Sequence, residues 1–229
     1  MAPPTATIPH RPHRPPHPLA WNGAYWGNIP FLTMAHFHPK SSAHRPRTRV
    51  KLTWTPEGIC GLFEVIDNYV RCTRTSFQDD VYKDSCVEFF VQPKARFGYF
   101  NFEFNCGGAL LASYITDPTR TEGGFVSFAR LSPPQGELVE VFPSLPEIVD
   151  PEIKDETLWH LGFFIPFALL ESFVGPLGQT NRQSWRGNVY KCADESSHPH
   201  WGSWAPVDAL NFHLPRCFGL FEFAPPPVK

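Results

Sequence analysis

No stretch of this chain approaches the roughly 18 apolar residues that a bilayer-spanning helix requires, so the sequence excludes a membrane span of that kind. Surplus charge is also missing. The formal net charge is -2, and no Lys/Arg-rich block interleaved with aromatics follows the N-terminal segment. A nucleic-acid partner therefore has no electrostatic footprint. Methionine is scarce, with two residues against 21 phenylalanines. No C-x-x-C pair occurs among Cys60, Cys72, Cys86, Cys106, Cys192 and Cys217, no EF-hand spacing is present, and no internal repeat of fixed period is visible. Met1 to Ala20 lacks an apolar run and does not read as a secretory signal.

What is abundant points to sheets. Aromatics make up 15% of the 229 residues, and aromatic side chains suit pleated, half-buried surfaces. The 26 prolines belong in turns and edge strands rather than inside helices. Residues 1–18, rich in Pro, His and Arg, read as a flexible tail with polyproline character, and 19–229 as one domain. All-β domains reach this size as single units.

Period-two alternation recurs along that domain. Val50, Leu52 and Trp54 alternate with Lys51 and Thr53, which predicts a strand with one buried face. Pro56 and Gly58 suggest a tight turn into a second strand over 58–67, and hence a hairpin. Further strands are predicted over 84–92, 98–105, 109–115, 124–130, 137–142, 158–165, 185–192 and 217–223. The cleanest is GYFNFEFN, where Phe100, Phe102 and Phe104 point one way and Asn101, Glu103 and Asn105 the other. Pro166 is placed to open a short helix. The expected fold is all-β, an antiparallel, jelly-roll-like β-sandwich with one short helix. Cys60, Cys86 and Cys106 lie in or beside strand-like runs, where cysteine acts as a small hydrophobe. Reduced, buried thiols are the plain reading, and the even count leaves disulfide pairing open.

Polar residues inside apolar strands locate the candidate chemistry. A buried carboxylate without partners is costly. Glu88 within VEFFV, and Asn101, Glu103 and Asn105 within the aromatic ladder, should therefore face water, a ligand or a cation, the solvated outer face of a sheet being the simplest case. The preceding loop, 77–85, concentrates carboxylates. Asp79, Asp80 and Asp84 are candidate Ca²⁺ ligands, because aspartate oxygens in loops are its usual hard donors; a loop merely solvated by its charges fits the same residues. The segment from His198 to His213 carries Trp201 and Trp204 among Pro, Gly and polar residues. An indole face complements the C–H face of a sugar ring while polar side chains meet its hydroxyls at the edge. One of the two tryptophans is equally suited to cap the open end of a sandwich. His198, His200 and His213 match no strong zinc spacing.

Assembled, these segments resemble the family 9 carbohydrate-binding modules, and more closely their stand-alone branch than the copies appended to xylanases. YKDSCVEFFV (82–91) and GYFNFEFNCGGAL (98–110) carry the resemblance. So do WHLGFFIPFALL (159–170) and the closing segments RGNVYKCAD, HWGSWAP and FHLPRCFGLFEF. The likeness spans most of residues 20–224. It implies a β-sandwich with structural calcium, and a slot in which two aromatic rings grip a terminal sugar of a xylan, cellulose or soluble-sugar chain. By position, Tyr82 is the first plate, Glu88 a ligand to sugar hydroxyls, and Asn101 and Glu103 further polar contacts. The second plate should be Trp204 or, failing that, Trp201. The resemblance implies an extracellular role in carbohydrate catabolism, and a monomer is expected. The chain departs from the xylanase-linked members in having Tyr at position 82 instead of Trp, and in lacking an attached catalytic domain and a visible export signal. Two alternatives stand beside non-catalytic glycan binding. One is a glycoside hydrolase using Glu88 and Glu103 as a carboxylate pair. The other is a protein-interaction sandwich that has lost its sugar site.

Overall fold

The alternation of Phe100, Phe102 and Phe104 is realised in a strand near the middle of a large sheet, with all three rings fully buried. The computed structural model describes residues 2–227. Its strands are β1 (Thr5–Ile8), β2 (Phe31–Thr33), β3 (His36–Phe37), β4 (Arg47–Thr55), β5 (Gly58–Asp67), β6 (Val70–Cys72), β7 (Cys86–Gln92) and β8 (Tyr99–Asn105). They continue with β9 (Leu110–Thr121), β10 (Gly124–Arg130), β11 (Glu140–Pro143), β12 (Val149–Ile153), β13 (Thr157–Pro166), β14 (Ser184–Cys192), β15 (Trp201–Ser203) and β16 (Gly219–Phe223).

The larger sheet runs β1-β16-β14-β7-β8-β9-β10, with β15 added to β14 and β3 to β15. The smaller runs β11-β13-β5-β4-β2, and β12 pairs with β6 as a separate ribbon. These strand pairings are antiparallel except β1 with β16. The two sheets form the expected sandwich. Val87, Phe89 and Val91 of β7 and the three β8 phenylalanines meet Phe63 and Val65 of β5 and Leu161 and Phe163 of β13. Phe163 bridges the layers, its ring centroid 5.4 Å from those of both Phe89 and Phe104. It stands opposite Gly61, where a Cβ would fall 2.2 Å from the Phe163 ring, so only glycine leaves room for it. Burying each such side chain contributes about 1.5–3 kcal/mol.

The helix expected at Pro166 is present as α2 (Phe167–Val174), with Pro166 at its N-cap and Phe167 packed edge-on to Trp185. A second, single-turn helix precedes it in the chain, α1 (Pro133–Gly136). Its signal was in the sequence: Ser132 and Gln135 form a capping box around a proline at N1. No helix among the described residues is long and apolar enough to cross a membrane. All six cysteines are free thiols, five of them buried.

Two expectations are corrected. Of the segment 1–18 read as a flexible tail, the described residues 2–18 are not free. Thr5–Ile8 forms β1 beside β16, burying Ala6 and Ile8 in the main core, and Arg14 lies over the Phe164 ring and pairs with Glu140. A four-residue alternation, TATI, is too short to stand out among prolines. Nor does β4 have one solvated face. Lys51 is buried beneath the segment 21–26 and donates to the carbonyls of Trp21 (2.9 Å) and Trp26 (2.8 Å).

Candidate functional site

Successive residues of a strand face opposite sides of a sheet. The parity that sends Phe89 and Phe102 into the core sends Cys86, Glu88, Asn101 and Glu103 onto the outer face of the larger sheet. Glu88 and Glu103 are direct cross-strand partners, as are Asn101 and Ser113. This face is not solvated. The segment 193–214 and the β9–β10 hairpin rise around it and form a half-open cavity of about 670 Å³. Glu88 and Asn101 are each 2% exposed and Glu103 4%.

The polar floor is wired together. Asn101 Nδ2 donates to Glu103 Oε1 (2.7 Å), and its Oδ1 accepts from the Ser113 amide (2.9 Å). Cys192 Sγ donates to Glu88 Oε1 (3.2 Å), while Glu88 Oε2 is buried without a partner. Burial raises the Glu88 carboxyl well above its usual range. It raises Glu103 to about 7, against the opposing influence of Asn101 and Arg120. The floor therefore presents proton-bearing carboxyls as well as acceptors. His213 is held neutral, its pKa lowered to about 3 by burial and then by Arg120, and shares a 2.9 Å hydrogen bond with the Tyr99 hydroxyl.

Aromatic rings form the walls. Tyr82 sits in a single 3₁₀ turn (Val81–Lys83) whose carbonyl accepts from the Asp194 amide (3.1 Å). Trp201 lies opposite Cys192 in the β14–β15 register, and its indole N–H donates to Asp194 Oδ1 (2.7 Å). Both half-buried rings line the cavity together with Phe125, Phe128 and Phe212.

Of the residues singled out by sequence, Tyr82, Glu88, Asn101, Glu103, Trp201 and Asp80 line this one cavity. Trp204, the preferred second plate, does not. Trp201 and Trp204 are an odd number of residues apart, so an extended backbone sends them to opposite faces. The Trp204 ring stacks on Phe221 at 5.4 Å on the core side. The three histidines also separate. His213 lines the cavity, His200 accepts from the buried Lys191 ammonium (2.9 Å), and His198 stacks on Tyr69 at 3.6 Å. Sequence reasoning missed Arg120 and Phe125 at the hairpin tip, because nothing local shows that the hairpin curls over the sheet. It also passed over Asp194, the last residue of the RGNVYKCAD segment.

The acidic loop does not fit calcium. Asp84 is fully buried, and its carboxylate accepts from the Thr73 amide (3.0 Å), the Arg74 amide (2.8 Å), the Thr73 hydroxyl (3.2 Å) and Asn105 Nδ2 (3.1 Å). The Arg74 guanidinium lies 3.7 Å away. Those donors occupy the lone pairs that Ca²⁺, which takes about six to eight oxygens, would need. Asp79 accepts from the Asp80 amide (2.8 Å), and Asp80 pairs with Lys83 (3.2 Å). Asp84 is thus a structural staple joining the loop after β6 to β8.

Comparison with known proteins agrees with this architecture. None of the curated protein sequences matches the chain. Among solved structures, a Bacteroides uniformis protein provisionally assigned to carbohydrate binding is 25% identical, with a TM-score of 0.83 over 97% of this chain and 100% of its own. A family 9 module from Caldicellulosiruptor kristjanssonii in complex with cellotriose is 12% identical, with a TM-score of 0.63 over 99% of this chain and 100% of that one. The same organism's module in complex with glucose is 11% identical, with a TM-score of 0.61 over 99% and 98%. The family profile described as carbohydrate-binding family 9 matches residues 16–223, and the chain belongs to that family.

Proposed function

We propose that this protein binds carbohydrate without cleaving it, holding a terminal sugar unit between Tyr82 and Trp201 above the polar floor of Glu88, Asn101 and Glu103. The observation that carries the reading is the composition of one half-open cavity: aromatic walls over buried, proton-bearing and proton-accepting groups. A pyranose offers apolar C–H faces and a rim of hydroxyls that both donate and accept, and this lining complements both. Family membership and the cellotriose and glucose held by the C. kristjanssonii module support short β-glucans as first ligands to test.

The carboxylate pair does not favour hydrolysis. Cleavage needs carboxyls on either side of the scissile bond, about 5–9.5 Å apart, one of them ionised as nucleophile or base. Glu88 and Glu103 are side-by-side partners in the floor of the cavity, and burial holds both towards the protonated form. Calorimetric titration with glucose, cellotriose and xylotriose tests the proposal. Binding of at least one of them, weakened at least tenfold by Tyr82→Ala with no release of reducing sugar, is expected. Silence toward all three, or hydrolysis lost in Glu103→Gln, would contradict it.

A further inference from the structure

We propose that Cys86, Glu88 and Cys192 form a site for one soft divalent cation of the zinc class in the floor of the cavity. The inference goes beyond sugar binding and stands on the donor set alone. Cys86 opens β7 and Cys192 closes β14, and the two are register partners. Their side chains therefore leave the sheet together on the outer face, and Glu88, two residues along β7, joins them there. The three ligand atoms lie within 4.8 Å of one another, and all three residues are buried. In tetrahedral zinc sites, bonds of about 2.3 Å to sulfur and 2.0–2.2 Å to oxygen place two sulfurs about 3.8 Å apart and sulfur and oxygen about 3.5 Å apart. Cys192 Sγ and Glu88 Oε1 are already 3.2 Å apart.

A second observation points to a ligand at the same place. Glu88 Oε2 is buried with no hydrogen-bond partner, on a side chain only 2% exposed. Orphaning such an atom costs about 1–3 kcal/mol, and a cation removes that cost. Glu88 and Cys192 also line the cavity, so a fourth coordination position opens to water or a hydroxyl. Thiolates prefer zinc to calcium or magnesium. Without metal the cluster is neutral, since burial pushes the Cys86 thiol up to about 12 and Cys192 and Glu88 well above their ordinary ranges. On binding, two S–H bonds and one O–H bond break, three bonds to the cation form, and three protons leave to solvent. The resulting charge of -1 lies on the cavity side of the sheet, whereas the Lys191 side chain leaves β14 on the opposite side, where its ammonium pairs with Asp67 at 3.1 Å.

The test titrates reduced, chelator-stripped, full-length protein with Co²⁺ and then Zn²⁺, with no glycan present, so that its failure and the failure of sugar binding are read separately. One equivalent of cobalt should give a sulfur-to-cobalt charge-transfer band, which histidine sites elsewhere cannot produce, and zinc should displace it. Cys86→Ser, Cys192→Ser and Glu88→Gln should each weaken binding by more than the roughly 10–100-fold that outer-shell partners cost. The double variant Cys72→Ser, Cys106→Ser should retain the band. No band, or a band that follows Cys72 and Cys106 instead, would overturn the site. Should a ligand variant fail to fold, zinc-edge absorption fine structure of the wild type decides: two sulfur neighbours are expected, and none would refute it.

Discussion

Replacing Trp201 with alanine removes a half-buried cavity wall and the indole N–H that holds Asp194 Oδ1 at 2.7 Å. Replacing Trp204, three residues on, removes a ring stacked on Phe221 at 5.4 Å and closed over Gly219. The same chemical deletion should therefore have opposite consequences. An aromatic anchor in a binding pocket is worth about 2 kcal/mol or more, which is roughly a 30-fold loss of sugar affinity for Trp201→Ala. Its effect on stability should stay near 1 kcal/mol, because the ring lies outside the inter-sheet core. Trp204→Ala deletes half-buried core packing and should cost about 3 kcal/mol, the low end for Trp→Ala. That lowers Tm by roughly 6–12 °C for a domain of this size, with the affinity of the folded protein unchanged. Calorimetric titration with cellotriose and differential scanning calorimetry on both variants read the two axes separately. If Trp204→Ala abolished binding at native Tm while Trp201→Ala bound normally, the face assignment of β15 would be wrong.

Three further outcomes are expected. Phe163→Ala should destabilise by about 3–5 kcal/mol, because the ring bridges both sheets, and denaturant unfolding measures it. Asp84→Ala should cost about 3–5 kcal/mol by orphaning its buried donors and the adjacent Arg74, and added calcium should leave the wild-type Tm unmoved; a calcium-dependent rise lost in the variant would reverse that assignment. His200 is kept neutral in the fold, its pKa lowered to about 3 by burial and then by the neighbouring Lys191. The unfolded chain thus binds its proton first as pH falls below about 6.5, and native stability is lost from there down to about pH 3 at about 1.4 kcal/mol per pH unit. Glu103, raised by burial to about 7, acts in the opposite direction, so the diagnostic quantity is the difference between wild type and His200→Gln in denaturant titrations from pH 7 to pH 4.

The sandwich was legible because its signal is local and repeated. Phe100, Phe102 and Phe104 alternate with polar residues, and the same parity fixes Glu88, Asn101 and Glu103 on a shared face. What covers that face was not legible. The β9–β10 hairpin brings Arg120 and Phe125 over the sheet, a long-range packing decision that leaves no local period. The choice between Trp201 and Trp204 turned on register. The pairing of Trp201 with Cys192 decides which ring faces the cavity, and the sequence does not state where β15 begins. Asp84 misled in another way. A carboxylate in an acidic loop reads as a metal ligand, yet backbone amides contributed by Thr73 and Arg74, about ten residues earlier, satisfy it. The short alternation of β1 was hidden by flanking prolines and becomes visible only beside β16.

A crystal structure of the protein soaked with cellotriose tests the central claim most directly. The account places a glucose ring between Tyr82 and Trp201, with hydroxyls within hydrogen-bond distance of Glu103 and Asn101. Density found instead on the open groove between Trp21 and Phe31, or a cavity left empty at saturating sugar, would contradict it.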